Sequence, residues 1–180
     1  REAFERLRLA AEFIDADRTT PDTRRADTPH GTAARASYEA PNAVIGAVTG
    51  ALINLTMGGV QPLWSGGLLH AELRYFDPER RRPGLPDELA ALVTAIDREA
   101  IRVTLVNLNQ AEPREVTVQT GAYAENQCQR VELEGKSTAV DAPSFQVRLA
   151  PGTGADLVIY RRRMANRATL ALPWQARPAR

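Results

Sequence analysis

The sequence predicts a mainly β protein: an antiparallel β-sandwich preceded by two or three helices. Three observations carry the prediction. Short apolar runs between Ile101 and Leu172 alternate with a period of two. Turn residues separate those runs at regular intervals. Before residue 60, apolar residues recur instead at spacings of three and four.

The strands come first because they set the architecture. Ile101, Val103 and Leu105 share one face of a run that ends at Leu108, and the phase slips at Leu105-Val106, as a bulge or a two-sided burial would produce. Asn109 to Pro113 is a polar turn. Glu115–Thr120 alternates cleanly up to Gly121, and Arg130–Glu134 alternates up to Gly135-Lys136, a hairpin turn. Phe145–Leu149 alternates again, Pro151 to Gly154 turns the chain, and Leu157–Tyr160 is apolar throughout. Ala168–Leu172 reads as a last strand. A helix would need a 3.6-residue period that these runs lack.

Ahead of the strands, residues 1–59 read as the end of a helical domain and 60–180 as the sandwich. Phe4, Leu7, Ala11 and Ile14 form one stripe of a helix over Glu2–Asp15. Asp17 to Ser37 has no period and reads as a loop. Pro41–Met57 reads as a helix apolar around most of its circumference, hence buried, with Gly58-Gly59 as its stop. Leu68–Phe76 reads as a strand with Leu69, Ala71, Leu73 and Tyr75 on one face, followed by a charged turn to Gly84. Pro86 to Asp97 reads as an inserted helix: Leu89, Leu92, Val93 and Ile96 share a face, and Asp87 and Glu88 suit the first turn of a helix dipole.

Composition narrows the function classes. The chain has 180 residues, 43% hydrophobic and 25% charged, with a formal net charge of +1. That charge supplies no field to draw in nucleic acid or a membrane surface. The longest apolar run, Ala43 to Leu55, is shorter than the roughly 20 residues a membrane span needs. Cys128 is the one cysteine, which excludes an internal disulfide and multi-cysteine metal sites; a lone strand cysteine reads as a small buried apolar residue. Lys136 is the one lysine among the basic residues, a bias expected of a GC-rich bacterial source. The start at Arg1 reads as the start of a piece of a longer chain, and the compartment is left open.

No catalytic motif emerges. His30 and His70 have no partner at ligand spacing, Leu63 to Gly67 is not a nucleophile elbow, and the glycine-rich connection Gly58–Gly67 has neither dinucleotide spacing nor a P-loop lysine, so no metal or cofactor is expected. Trp64 and His70 are the candidate ligand contacts: Trp64 is an aromatic plate in a glycine-bounded loop, suited to stacking on a sugar or to anchoring the loop. Arg80-Arg81-Arg82 and Arg161-Arg162-Arg163 read as solvated turns, with phosphate or carboxylate contact as the sharper reading. Asn54-Leu55-Thr56 matches a glycosylation triplet but falls within the helix read as buried.

Val103–Asn109, Arg114–Gln119 and Leu149–Leu157 combine a strand ending in an Asn-rich turn with a late Pro-Gly turn. In this the last 80 residues or so resemble the β-sandwich domains that end many bacterial carbohydrate-active, glycoside hydrolase-like enzymes. The resemblance implies an accessory domain that packs on a preceding domain of the same polypeptide and shapes one wall of a carbohydrate cleft. It carries no catalytic residue onto this chain. The alternatives are an independent carbohydrate-binding module and a purely structural or assembly domain.

Overall fold

The computed structural model describes Glu5, Arg8, Glu12, residues 52–59 and residues 70–175. The described residues form nine strands: β1 (Leu73–Asp77), β2 (Arg82–Pro83), β3 (Leu89–Ile96), β4 (Ala100–Asn107), β5 (Arg114–Thr120), β6 (Gln127–Leu133), β7 (Lys136–Ala142), β8 (Ser144–Leu149) and β9 (Gly154–Arg162). They make two sheets, ordered β2-β1-β5-β8 and β3-β4-β9-β6-β7. Every pairing is antiparallel. One core joins the sheets: Leu73, Tyr75, Val116, Val118 and Leu149 meet Ile101, Val103, Leu105, Leu157 and Ile159. Each such side chain contributes about 1.5–3 kcal/mol of transfer free energy. The expected sandwich is therefore present.

Its details depart from the sequence reading in four places. Leu89–Ile96 is strand β3, not a helix. It pairs with β4 along its length, with a bulge between Val93 and Ala95. The core-facing residues are Leu89, Ala91 and Val93, and past the bulge Ile96 returns to that side opposite Ile101 although it is 45% exposed; this spacing of two, two and three imitates a helical stripe. Conversely, β4 keeps its phase: Ile101, Val103, Leu105 and Asn107 all point inward, and exposed Leu108 lies beyond the strand. The hairpin turn sits one residue earlier than read, at Glu134-Gly135. Both residues have positive φ, 51° and 77°, as a type I′ turn requires. Finally, 168–172 is not a strand; it runs as an irregular strap tied to the sandwich by Thr169 N–H on the Tyr123 carbonyl.

The strap matters for the face opposite the core. Alternation along β1 turns Phe76 away from Leu73 and Tyr75, yet Phe76 is fully buried. Trp174 meets its ring edge-on, with centroids 5.9 Å apart. The Arg74 guanidinium stacks 5.0 Å from the same ring.

Helical residues 52–57 close the side of the sandwich between β1 and β3. Gly58 follows them with φ of 63°, the left-handed stop expected of this glycine. Met57 packs on the core, its carbonyl accepts the Glu72 N–H at 2.9 Å, and the Thr56 carbonyl accepts the Tyr75 hydroxyl at 2.6 Å. Burial pushes the Tyr75 phenol well above its ordinary range, so it stays a donor. A Cβ at Gly59 would strike the His70 carbonyl and Ile53. Asn54, expected to be buried, is exposed and donates to the Gly59 carbonyl. Glu5, Arg8 and Glu12 are helical, with Arg8 bonded to both acids. The rest of the helices read over Glu2–Asp15 and Pro41–Met57, and the Asp17–Ser37 loop, lie outside the described residues.

Candidate functional site

One end of the sandwich collects polar side chains that the sequence scatters. β1 finishes there with buried Asp77. Its Oδ1 accepts the backbone N–H groups of Glu79 and Arg80, both at 3.1 Å, and its Oδ2 accepts from Arg82 Nε at 3.3 Å. A carboxylate so placed fixes the turn by hydrogen-bonding its own downstream backbone. Arg80 and Arg82 both reach Asp87, at 2.6 and 2.7 Å. The Arg80–Arg82 run, read from the sequence as a solvated turn, is thus tied into this network, except for Arg81, which is exposed with φ of 50°.

Across from it, Glu88 accepts from Asn109 Nδ2 at 2.6 Å and from Arg114 at 2.7 Å. Arg114 also binds Glu112 at 2.9 Å, and its side chain is only 18% exposed. The bonds from Asn109 and Arg114 hold the Glu88 carboxyl below the usual carboxylate range. A depressed carboxylate stabilises the fold above its unfolded pKa, near 4.3, and loses that contribution as pH falls through the lower folded value. Glu88→Gln is therefore expected to lower the melting temperature at pH 7, with the difference from wild type shrinking below about pH 4 and in high salt. Melting curves between pH 2 and 7 check it; a difference independent of pH would refute the charge role.

Asn107 locks this end. It is buried, and its Nδ2 donates to the carbonyls of Glu112, Leu149 and Ala150 at 2.9, 3.4 and 3.1 Å. Its Oδ1 accepts the Asn109 N–H. The β4–β5 and β8–β9 turns are thus joined through one amide, which explains the Asn at a position where alternation calls for an apolar residue.

Between these groups lies an open groove of 420 Å³, walled by Pro78, Pro86 and Pro113 and lined by Glu79, Arg114, Glu115, Gln146 and Arg148. A second hollow of 400 Å³ shares Glu79, Pro86 and Arg114 with it and extends toward Arg80 and Glu112. Neither Arg114 nor Arg148 was singled out from the sequence. Each is one polar residue of an alternating strand, and only the pairing of β5 with β8 brings them together.

The sequence candidates fall elsewhere. His70 is exposed just ahead of β1, at the opposite end, with its backbone beside Gly59. Trp64 lies outside the described residues. Among the described residues, no group of three His, Cys, Asp or Glu side chains is placed to hold a metal ion. No helix among them is long and apolar enough to cross a membrane.

The same opposite end holds Arg161, which corrects its reading as part of a solvated run. Its side chain is 1% exposed, between the sheets, and paired with Glu72. It also donates to the Asp97 carbonyl at 3.3 Å, while its Nε has no partner. Arg162 and Arg163 are exposed. Cys128, the register partner of Arg161, is buried, and burial pushes its thiol up to about 12, so it stays protonated and unreactive at neutral pH.

The chain matches no known family model, no curated protein and no solved structure.

Proposed function

We propose that this sandwich is the accessory domain of a larger bacterial carbohydrate-active enzyme, packing against helical chain that precedes it and shaping one wall of the substrate cleft. The observation that supports this most is the side between β1 and β3. Met57, Thr56 and Gly59 from the preceding segment complete the core and the hydrogen bonds there. A sandwich finished by upstream helical residues is suited to being built onto a neighbour. Catalytic groups are then sought upstream, and the domain's own part is packing and cleft shape. No cofactor enters this reading; Trp64 and His70 are the sugar contacts of the rival reading, an independent carbohydrate-binding module.

Two measurements on the 180-residue chain test it. Gly59→Val forces a side chain into the His70 carbonyl and Ile53. It is expected to cost about 2 kcal/mol, a fall of roughly 5 °C in melting temperature; melting like wild type would overturn the packing role. Affinity electrophoresis through soluble polysaccharides checks the rival. Retardation abolished by Trp64→Ala would identify an independent binding module instead.

A further inference from the structure

We infer that the groove beside Arg114 is a binding site for a neutral polyhydroxylated ligand, a sugar ring or a short oligosaccharide. This rests on the proposed carbohydrate role and names the face that meets the sugar. Its volume of 420 Å³ falls in the range of small-molecule sites, about 300–1,000 Å³.

The groove has a committed wall and an uncommitted floor. In the wall, Arg114 is held by Glu88 and Glu112, and three prolines stiffen the turns around it. A wall fixed in advance loses little freedom when a ligand arrives. In the floor, Glu115 of β5 and Arg148 of β8 are register partners, and Gln146 occupies the next position on the same face, opposite Thr117. All three side chains are exposed. None of them is hydrogen-bonded or ion-paired to another described residue. Directly opposed side chains of an antiparallel pair stand about 5 Å apart. A carboxylate acceptor, a guanidinium donor and an amide that is both therefore lie side by side, open to solvent.

Charge selects the ligand class. An anion drawn to Arg148 meets Glu115 and Glu79 in the same groove, and a cation drawn to those carboxylates meets Arg148 and Arg114. Vicinal hydroxyls avoid the conflict: one donates to Glu115 while its neighbour accepts from Arg148, and Gln146 takes either role. The proline faces offer apolar contact for ring C–H groups.

The test is an NMR titration of the ¹⁵N-labelled 180-residue chain with neutral cello-, xylo- and malto-oligosaccharides, an oligouronate and inorganic phosphate. A neutral oligosaccharide is expected to shift the Gln146 side-chain amide and the Arg148 Nε–H, with Kd on the order of 1 mM. Arg148→Ala and Glu115→Gln are each expected to weaken it about tenfold, with spectra otherwise unchanged because both residues are exposed. The inference is overturned by silence of these signals toward all three neutral sugars at about 50 mM, well above the expected Kd. Binding confined to phosphate or uronate, or affinity untouched in both variants, overturns it equally. Gly59→Val reports on the opposite end of the sandwich, so a failed titration leaves the packing role standing, and a silent Gly59→Val leaves the groove standing.

Discussion

Glu72→Leu and Arg161→Met, made singly, are each expected to lower the unfolding free energy by about 3–5 kcal/mol. Glu72→Leu with Arg161→Met is expected to restore most of it. The Arg161 side chain is 1% exposed and that of Glu72 13% exposed, so either partner left alone is a charge largely removed from water. Burial of the Arg161 charge itself works against folding, so the loss in Arg161→Met comes from Glu72 left buried without its counter-charge. Burial, with the charge of Arg163 adding to it, pushes the Arg161 pKa down to about 10. A cation whose folded pKa is depressed binds its proton better unfolded, so Arg161 opposes folding at every pH below that value. The Nε without a partner adds to the cost. Glu72 is what makes the site tolerable, and its backbone also bonds Met57 and Gly121, so the pair lies at the junction of the helical segment and both sheets. Urea unfolding of the four chains at pH 7 reads the coupling. Additive single-site losses would show that the pair does not act as a unit.

The second large effect is expected at Phe76. Phe76→Ala should cost about 3–5 kcal/mol, as a fully buried aromatic does. The simple sandwich picture, in which every second residue of a strand faces solvent, predicts almost nothing. Trp174→Ala should cost less, about 1–2 kcal/mol, because Trp174 is itself only partly buried. The two losses should couple by about 1 kcal/mol through the edge-on contact. Guanidinium denaturation of both single variants and the double variant measures this. A loss under about 1 kcal/mol for Phe76→Ala would mean that the strap does not seal the ring.

These two sites mark where the sequence was legible and where it was not. The candidate contacts read from it, Trp64 and His70, came from local rarity: an unusual residue in an unusual loop. The groove has no such mark. Its floor residues come from β5 and β8 and its walls from the β1–β2, β2–β3 and β4–β5 connections, so no window of sequence contains it. Asp87 and Glu88 show the same limit. Their positions suited a helix start, whereas in the fold they receive Arg80, Arg82 and Arg114 from other elements. Edge strand β7 escaped notice because its residues are almost all exposed, so burial imposes no apolar alternation on it.

What the sequence determined by itself was the mainly β class and most of the strands. A half-buried strand writes its own period of two into the chain, and β4, β5, β6 and β8 each carry it, while β9 was legible as a short run apolar throughout. The glycine stop at Gly58 was equally local, since a left-handed residue there favours glycine. Tertiary structure alone decided the pairing with β4 that makes Leu89–Ile96 a strand and the bulge that disguises it, the order β3-β4-β9-β6-β7, the burial of Arg161 and Phe76, and the groove. Each depends on a partner distant in the sequence, and pairing energies of that kind leave no pattern within the segment that receives them.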